Sequence, residues 1–238
     1  MAVTRLLLLS NSTTTGLGYL EWAGEAVRDF LDREIRKVTL VPYASVRTAF
    51  DLFTEKVSER FAQWGLELES VHASDDPAAA VRDAEAIAVA GGNTFRLLHR
   101  LYETGLVDAI RSRVHEGAPY IGWSAGSNVA CPTIMTTNDM PIIEPPSLRA
   151  LGLVPFQINP HFTEAASSDL NAETREDRLI EYVALNPGMT VVGLREGTAL
   201  RVEGRSMRLV GDLPATLFAL GRDPWKLGPD GDWGALLP

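Results

Sequence analysis

The sequence predicts an α/β fold: a mostly parallel sheet with helices on both faces. Two observations carry that reading. Short, partly β-branched apolar runs alternate with stretches of helical period through the first half of the 238 residues. Each interval between runs is long enough for a crossover, which parallel neighbours require and a hairpin does not. In such a sheet the chemistry collects at the carboxyl ends of the strands.

The strands expected in this half are Leu6–Leu9, Val38–Val41, Leu66–Val71, Ile87–Ala90 and Tyr120–Ile121. Helical periodicity covers Tyr19–Leu31, Phe50–Trp64, Pro77–Ala84 and Thr94–Val114. Asp76-Pro77 reads as an N-cap followed by proline in the first turn, and Gly65 and Gly117 read as helix stops. Farther on, Val154–Ile158 and Val191–Leu194 read as strands with a helix over Thr174–Ala184 between them. Thr198–Glu203 and Ser206–Val210 flank Gly204-Arg205, the pattern of a C-terminal β-hairpin. The tail from Gly221, rich in Gly, Pro and Asp, is expected to wrap the surface. No repeat or linker divides the chain, so one domain over residues 1–238 is expected.

Charge and cysteine usage narrow the function. The chain carries 22 Lys and Arg against 31 Asp and Glu, a net charge of −9. Such a surface repels phosphate backbones and anionic lipid, so neither nucleic acid nor membrane is an expected partner. Cys131 is the one cysteine, which excludes an intrachain disulfide and a Cys-based zinc site. The leading Leu6–Leu9 run is too short for a signal-peptide core or a membrane span, so a cytoplasmic location is expected.

Gly122-Trp123-Ser124-Ala125-Gly126 is the sharpest local pattern. It follows an expected strand and opens a small-residue segment, Ala125–Ala130, able to start a helix. A G-x-S-x-G turn in that setting lifts a serine hydroxyl off the sheet and leaves helix N–H groups free for an oxyanion. Ala90-Gly91-Gly92-Asn93-Thr94 is a second strand-to-helix turn, so Gly92 and Ala125 are the expected oxyanion donors. No Walker lysine or H-E-x-x-H motif is present, and the third glycine of a dinucleotide loop is missing after Gly16-Leu17-Gly18.

A reactive serine needs a base, and there are four histidines. His99 lies on a helix, His115 sits in a last helical turn where its cation favours the dipole, and His72 closes a strand beside Ser74 and Asp75. His161 follows Gln157-Ile158-Asn159-Pro160, just past a buried strand, where proline fixes the approach of the ring. It is the expected base. Asp139 and Glu196 compete as the group orienting the imidazole, and triads occur in too many chain orders to choose between them.

Together these segments resemble the peptidase E family of S51 serine peptidases. The resemblance rests on Ala90–Phe95, Gly122–Gly126, Pro132-Thr133-Ile134 leading into Thr136–Pro141, Ile158–Phe162, Glu173–Glu176 and Gly193–Gly197, in the family's order. It implies a fold like class I glutamine amidotransferases and metal-independent hydrolysis of dipeptides with an N-terminal aspartate. No cofactor is implied, and the expected state is a monomer or homodimer. The family's nucleophile falls on Ser124 and its base on His161. Its acid has been placed at positions matching both Asp139 and Glu196. Glu196 is preferred for orienting His161, with Asp139 left to hold its loop or help bind substrate.

Arg175 in Thr174-Arg175-Glu176 is the expected partner of the aspartate β-carboxylate, and Asn93 is a further expected substrate contact. Ser127 and Cys131 depart from the family's usual small residues; Ser127 is expected near the substrate and Cys131 in the core. Three rivals remain: a cyanophycinase-like hydrolase of β-linked aspartyl polymers, a catalytically dead binding protein on the same scaffold, and an α/β-hydrolase esterase. The last usually carries its histidine late, and none follows His161.

Overall fold

The computed structural model describes residues 3–164 and 173–237. In chain order the strands are β1 (Arg5–Leu9), β2 (Lys37–Val41), β3 (Glu67–Ser70), β4 (Ala86–Val89), β5 (Tyr120–Trp123), β6 (Gln157–Phe162), β7 (Val191–Arg195), β8 (Ala199–Glu203), β9 (Ser206–Val210), β10 (Ala215–Ala219) and β11 (Arg222–Leu227). A seven-stranded sheet runs β3-β2-β4-β5-β1-β8-β9. Its first five strands are parallel, and the β8–β9 hairpin closes one edge antiparallel.

Unbroken apolar runs make these strands because both faces are buried. On β1, Leu6 and Leu8 enter one core while Leu7 and Leu9 enter the other. The second face is covered by α1 (Gly24–Phe30) and α2 (Phe50–Ala62), through Val27, Phe30, Val57 and Phe61. The first face is covered by α3 (Pro77–Arg82), α4 (Thr94–Glu103), α5 (Leu106–His115) and the short α6 (Ala125–Val129). Asp76 caps α3 as expected, its carboxylate accepting the Ala79 N–H at 2.9 Å.

The periodicity from Thr94 to Val114 hides a break. Gly105, at φ 68°, separates α4 from α5 in the left-handed region that glycine tolerates. A methyl group there would meet open space, so only backbone strain opposes it. Gly105→Ala is expected to cost about 1 kcal/mol, read as a lower urea midpoint at unchanged slope. An unshifted midpoint would contradict that account of the break.

The second half forms a sheet of its own, β11-β10-β7-β6, with β6 and β7 parallel and the rest antiparallel. Ile158, Val192, Leu194 and Leu217 face the larger sheet's core, while α7 (Arg175–Leu185) covers the outer face through Leu179 and Val183. This corrects the expectation for the tail: residues from Arg222 pair with Ala215–Ala219 instead of wrapping the surface. Pro224 is tolerated because β11 is an edge strand, where a missing N–H breaks no central ladder. Another shift concerns β6, expected at Val154–Ile158, which runs instead to Phe162 and carries a register irregularity between Asn159 and Phe162.

Candidate active site

Ser124 follows β5 and caps α6 with φ 54° and ψ −112°. Holding a side chain there costs on the order of 1–3 kcal/mol, so the surroundings must impose it. The Ser124 N–H donates to the Leu9 carbonyl at 3.0 Å, and its own carbonyl accepts from Ser127 and Asn128 at 3.0 Å each. The flanking glycines are steric necessities. A Cβ on Gly122 would strike the Gly126 carbonyl, and one on Gly126 would strike that of Val89.

His161 comes from the irregular part of β6, at φ 55°, and not from a loop beyond the strand. Both of its backbone groups are tied down. Its N–H donates to Ser10 Oγ at 2.9 Å, Ser10 donates onward to the Leu194 carbonyl at 2.7 Å, and Arg175 Nη1 donates to the His161 carbonyl. Its imidazole is held at both ends. Nε2 lies 2.8 Å from Ser124 Oγ and Nδ1 lies 2.7 Å from Glu196 Oε1. An ionised carboxylate only accepts hydrogen bonds, so Nδ1 carries the proton and Nε2 presents its lone pair to the serine hydroxyl.

Glu196 stands in the turn after β7, braced by the Gly197 N–H donating to Asn11 Oδ1 at 2.9 Å. Asp139 lies elsewhere: its Oδ2 accepts the Thr94 N–H at 2.7 Å and the Thr94 hydroxyl at 2.6 Å, at the start of α4. The structure therefore brings Ser124, His161 and Glu196 into one line and ties Asp139 to a helix end.

The Gly91-Gly92 turn lies against the serine, since a Cβ on Gly91 would sit 3.0 Å from Ser124 Cβ. Gly92, at φ 144°, packs on the Ala44 carbonyl and admits no side chain. Ala125 opens α6, where first-turn N–H groups lack helical partners. Asn93, expected at the substrate, uses Oδ1 to accept the Arg96 N–H at 3.0 Å and Nδ2 to donate to the Met140 carbonyl at 2.9 Å.

Ser127, expected near the substrate, is wholly buried and holds the Leu9 and Gly122 carbonyls at 2.6 and 2.9 Å. Cys131 is also buried, which pushes its thiol up to about 12 and leaves no thiolate at neutral pH.

An open cleft of about 670 Å³ adjoins His161, with Asn138, Asp139, Arg175, Arg195 and Glu196 in its wall. Arg175 occupies the first position of α7, behind the capping pair Thr174 and Asp177. A cation there opposes the helix dipole, so its place needs another reason, which the His161 carbonyl and the cleft supply. Arg195 is partly offset by Glu164 at 3.7 Å. The hydrogen bond from Lys226, with help from Thr216 and the charge of Arg195, holds the Glu164 carboxyl below the usual carboxylate range. Among the described residues, no cluster of three or more His, Cys, Asp or Glu could hold a metal ion, and no helix is long and apolar enough to cross a membrane.

Two contributors went unread in the sequence, Ser10 and Asn11. The available signal was the polar run Ser10-Asn11-Ser12 at the carboxyl end of β1, beside the strand that feeds Ser124.

Comparison with known proteins decides the family. A family model described as Peptidase family S51 matches residues 6–210. The chain belongs to peptidase family S51. Relatives named Peptidase E agree with this. One from Nostoc sp. is 48% identical over 98% of this chain and 96% of its own length. Another from Streptomyces coelicolor is 48% identical over 98% and 94%. Two solved structures share the fold. A putative Peptidase E protein from Listeria monocytogenes superposes with TM-score 0.64 at 22% identity, covering 88% of this chain and 99% of that one. A peptidase from an acI-B1 Actinobacterium gives 0.69 at 17% identity, covering 96% and 95%. As an S51 member the chain is a serine peptidase, and its fold is the amidotransferase-like one that the sequence led us to expect.

Proposed function

We propose that this S51 peptidase hydrolyses dipeptides with an N-terminal aspartate through an acyl-enzyme on Ser124. The observation that carries the reading is the 2.8 Å contact between Ser124 Oγ and His161 Nε2. His161 takes the hydroxyl proton as Oγ attacks the scissile carbonyl, then gives it to the departing amine. Glu196 keeps Nδ1 protonated and offsets the transient imidazolium. The Gly92 and Ala125 N–H groups receive the oxyanion, a donor of this kind contributing about 10²–10³ in turnover. Water then resolves the ester with His161 as base again.

Selecting aspartate in a chain of net charge −9 requires a local cation. Arg175 supplies it: it lines the cleft beside His161, and among the described residues no carboxylate pairs with it. Its planar guanidinium matches a β-carboxylate with two parallel hydrogen bonds. The same proposal places the enzyme in the cytoplasm, where its lone cysteine stays reduced.

Purified protein tested with chelator on p-nitroanilides of Asp, Asn, Glu and Ala is expected to favour the Asp compound by about 100-fold or more, consistent with a charge-assisted pair. Equal use of all four, or loss of activity on chelation, overturns the proposal. Arg175→Ala is expected to erase most of that preference, lowering kcat/KM for the Asp anilide far more than for the Ala anilide. An equal fall on both would reduce Arg175 to a support for the His161 backbone.

A further inference from the structure

We propose that Asp139 receives the substrate's free α-ammonium group, so that one fixed carboxylate reads the amino end of the substrate. The inference rests on the peptidase reading of Ser124 and His161. A first residue whose carbonyl meets Ser124 brings its ammonium into the same partly desolvated space, and a cation moved there needs a fixed acceptor. Among the described residues two carboxylates line the cleft, Asp139 and Glu196. Glu196 is engaged on His161 Nδ1 through Oε1. Asp139 is half-buried, and its two bonds to Thr94 both end on Oδ2, leaving Oδ1 without a partner among the described residues.

The loop that carries Asp139 is built to hold that oxygen still. Asn138 Nδ2 donates to the Pro160 carbonyl at 2.8 Å, and Asn138 Oδ1 accepts from Asn159 Nδ2 at 2.9 Å, fastening the loop to the strand just before His161. The Asp139 N–H donates to Thr137 Oγ1 at 3.2 Å, and Thr137 donates in turn to Thr94 Oγ1 at 3.0 Å. Thr94 follows the Gly91-Gly92 turn that packs on Ser124. Two consecutive residues thus bridge the histidine strand and the segment beside the serine. Such a preorganised carboxylate binds a cation without reorganising first. Arg175 on the side-chain carboxylate and Asp139 on the ammonium would read the two charged ends of one residue.

The test pairs aspartyl p-nitroanilide with 3-carboxypropanoyl p-nitroanilide, which keeps the β-carboxylate and the scissile bond but lacks the amine. Alanyl and propanoyl anilides repeat the contrast without the carboxylate. The intact protein is expected to favour the amine-bearing member of each pair by roughly 30- to 100-fold in kcat/KM. In Asp139→Asn, which keeps an oxygen for Thr94 but loses the charge, both ratios are expected to fall to about threefold or less.

If the amine contrast is unchanged in Asp139→Asn, or missing from the intact protein, the assignment of Asp139 is overturned. An aspartate preference that persists while the amine contrast survives the substitution would leave the Arg175 reading standing and remove Asp139 alone. Absence of turnover with every anilide would overturn the peptidase reading and this inference with it.

Discussion

Ser124→Ala is expected to lower kcat/KM for the aspartyl anilide by about 10⁴-fold or more while moving the thermal midpoint by no more than about 2 °C. The hydroxyl contributes one hydrogen bond to His161, on a half-exposed side chain, so its removal disturbs little of the fold. Alanine keeps the strained φ of 54°, because the strain belongs to the backbone and not to the hydroxyl. Ser124→Gly separates the two effects. It should be just as inactive, yet more stable than Ser124→Ala by about 1 kcal/mol, since glycine alone relaxes in that region. Equal stability of the two variants would show that the turn stores no strain.

The second large effect is at Glu196. Glu196→Gln is expected to cost about 10²–10⁴ in kcat with the fold intact, the upper figure being that of a buried triad acid whose loss leaves the wrong tautomer. An amide can donate as well as accept. When it donates to Nδ1, the proton must sit on Nε2, which then has no lone pair for the Ser124 hydroxyl. The Glu196 side chain is 54% exposed, so water competes for Nδ1 and the loss should fall short of the buried extreme. Measuring kcat with both the aspartyl and the amine-free anilide distinguishes the two acids. Glu196→Gln should slow both substrates alike, whereas Asp139→Asn should slow mainly the amine-bearing one.

How much of this was legible in the sequence follows from the range of the interactions. Leu6–Leu9 and Ile87–Ala90 announce buried strands because a parallel sheet covered on both faces makes a continuous apolar run, a signal contained within the strand itself. The Gly122–Gly126 pattern was legible for the same reason: its two glycines answer collisions with the Gly126 and Val89 carbonyls, and the turn they allow is local. β11 was not legible, because Arg222-Asp223-Pro224 reads as a surface turn and becomes a strand only when β10 offers its edge.

Between Asp139 and Glu196 no more than a preference for Glu196 could be read before the fold was known. Each is a turn carboxylate after a regular element, and what separates them is a contact to Thr94 or to His161 across more than 30 residues of chain. Ser127 looked like a residue of the serine's surroundings, yet α6 turns its hydroxyl back into the sheet. The positive φ of His161 had no sequence signal beyond the preceding Pro160, because strand β6, Ser10 and Arg175 impose it jointly.

The central claim is that His161 makes the Ser124 hydroxyl nucleophilic. It is tested most directly by peptide mass mapping after treatment with a fluorophosphonate, a reagent that phosphonylates activated serines. A single adduct on Ser124, formed rapidly by the intact protein and not detectably in His161→Ala under the same conditions, is the predicted result. An adduct on another residue, or modification of Ser124 at an undiminished rate without His161, would contradict it.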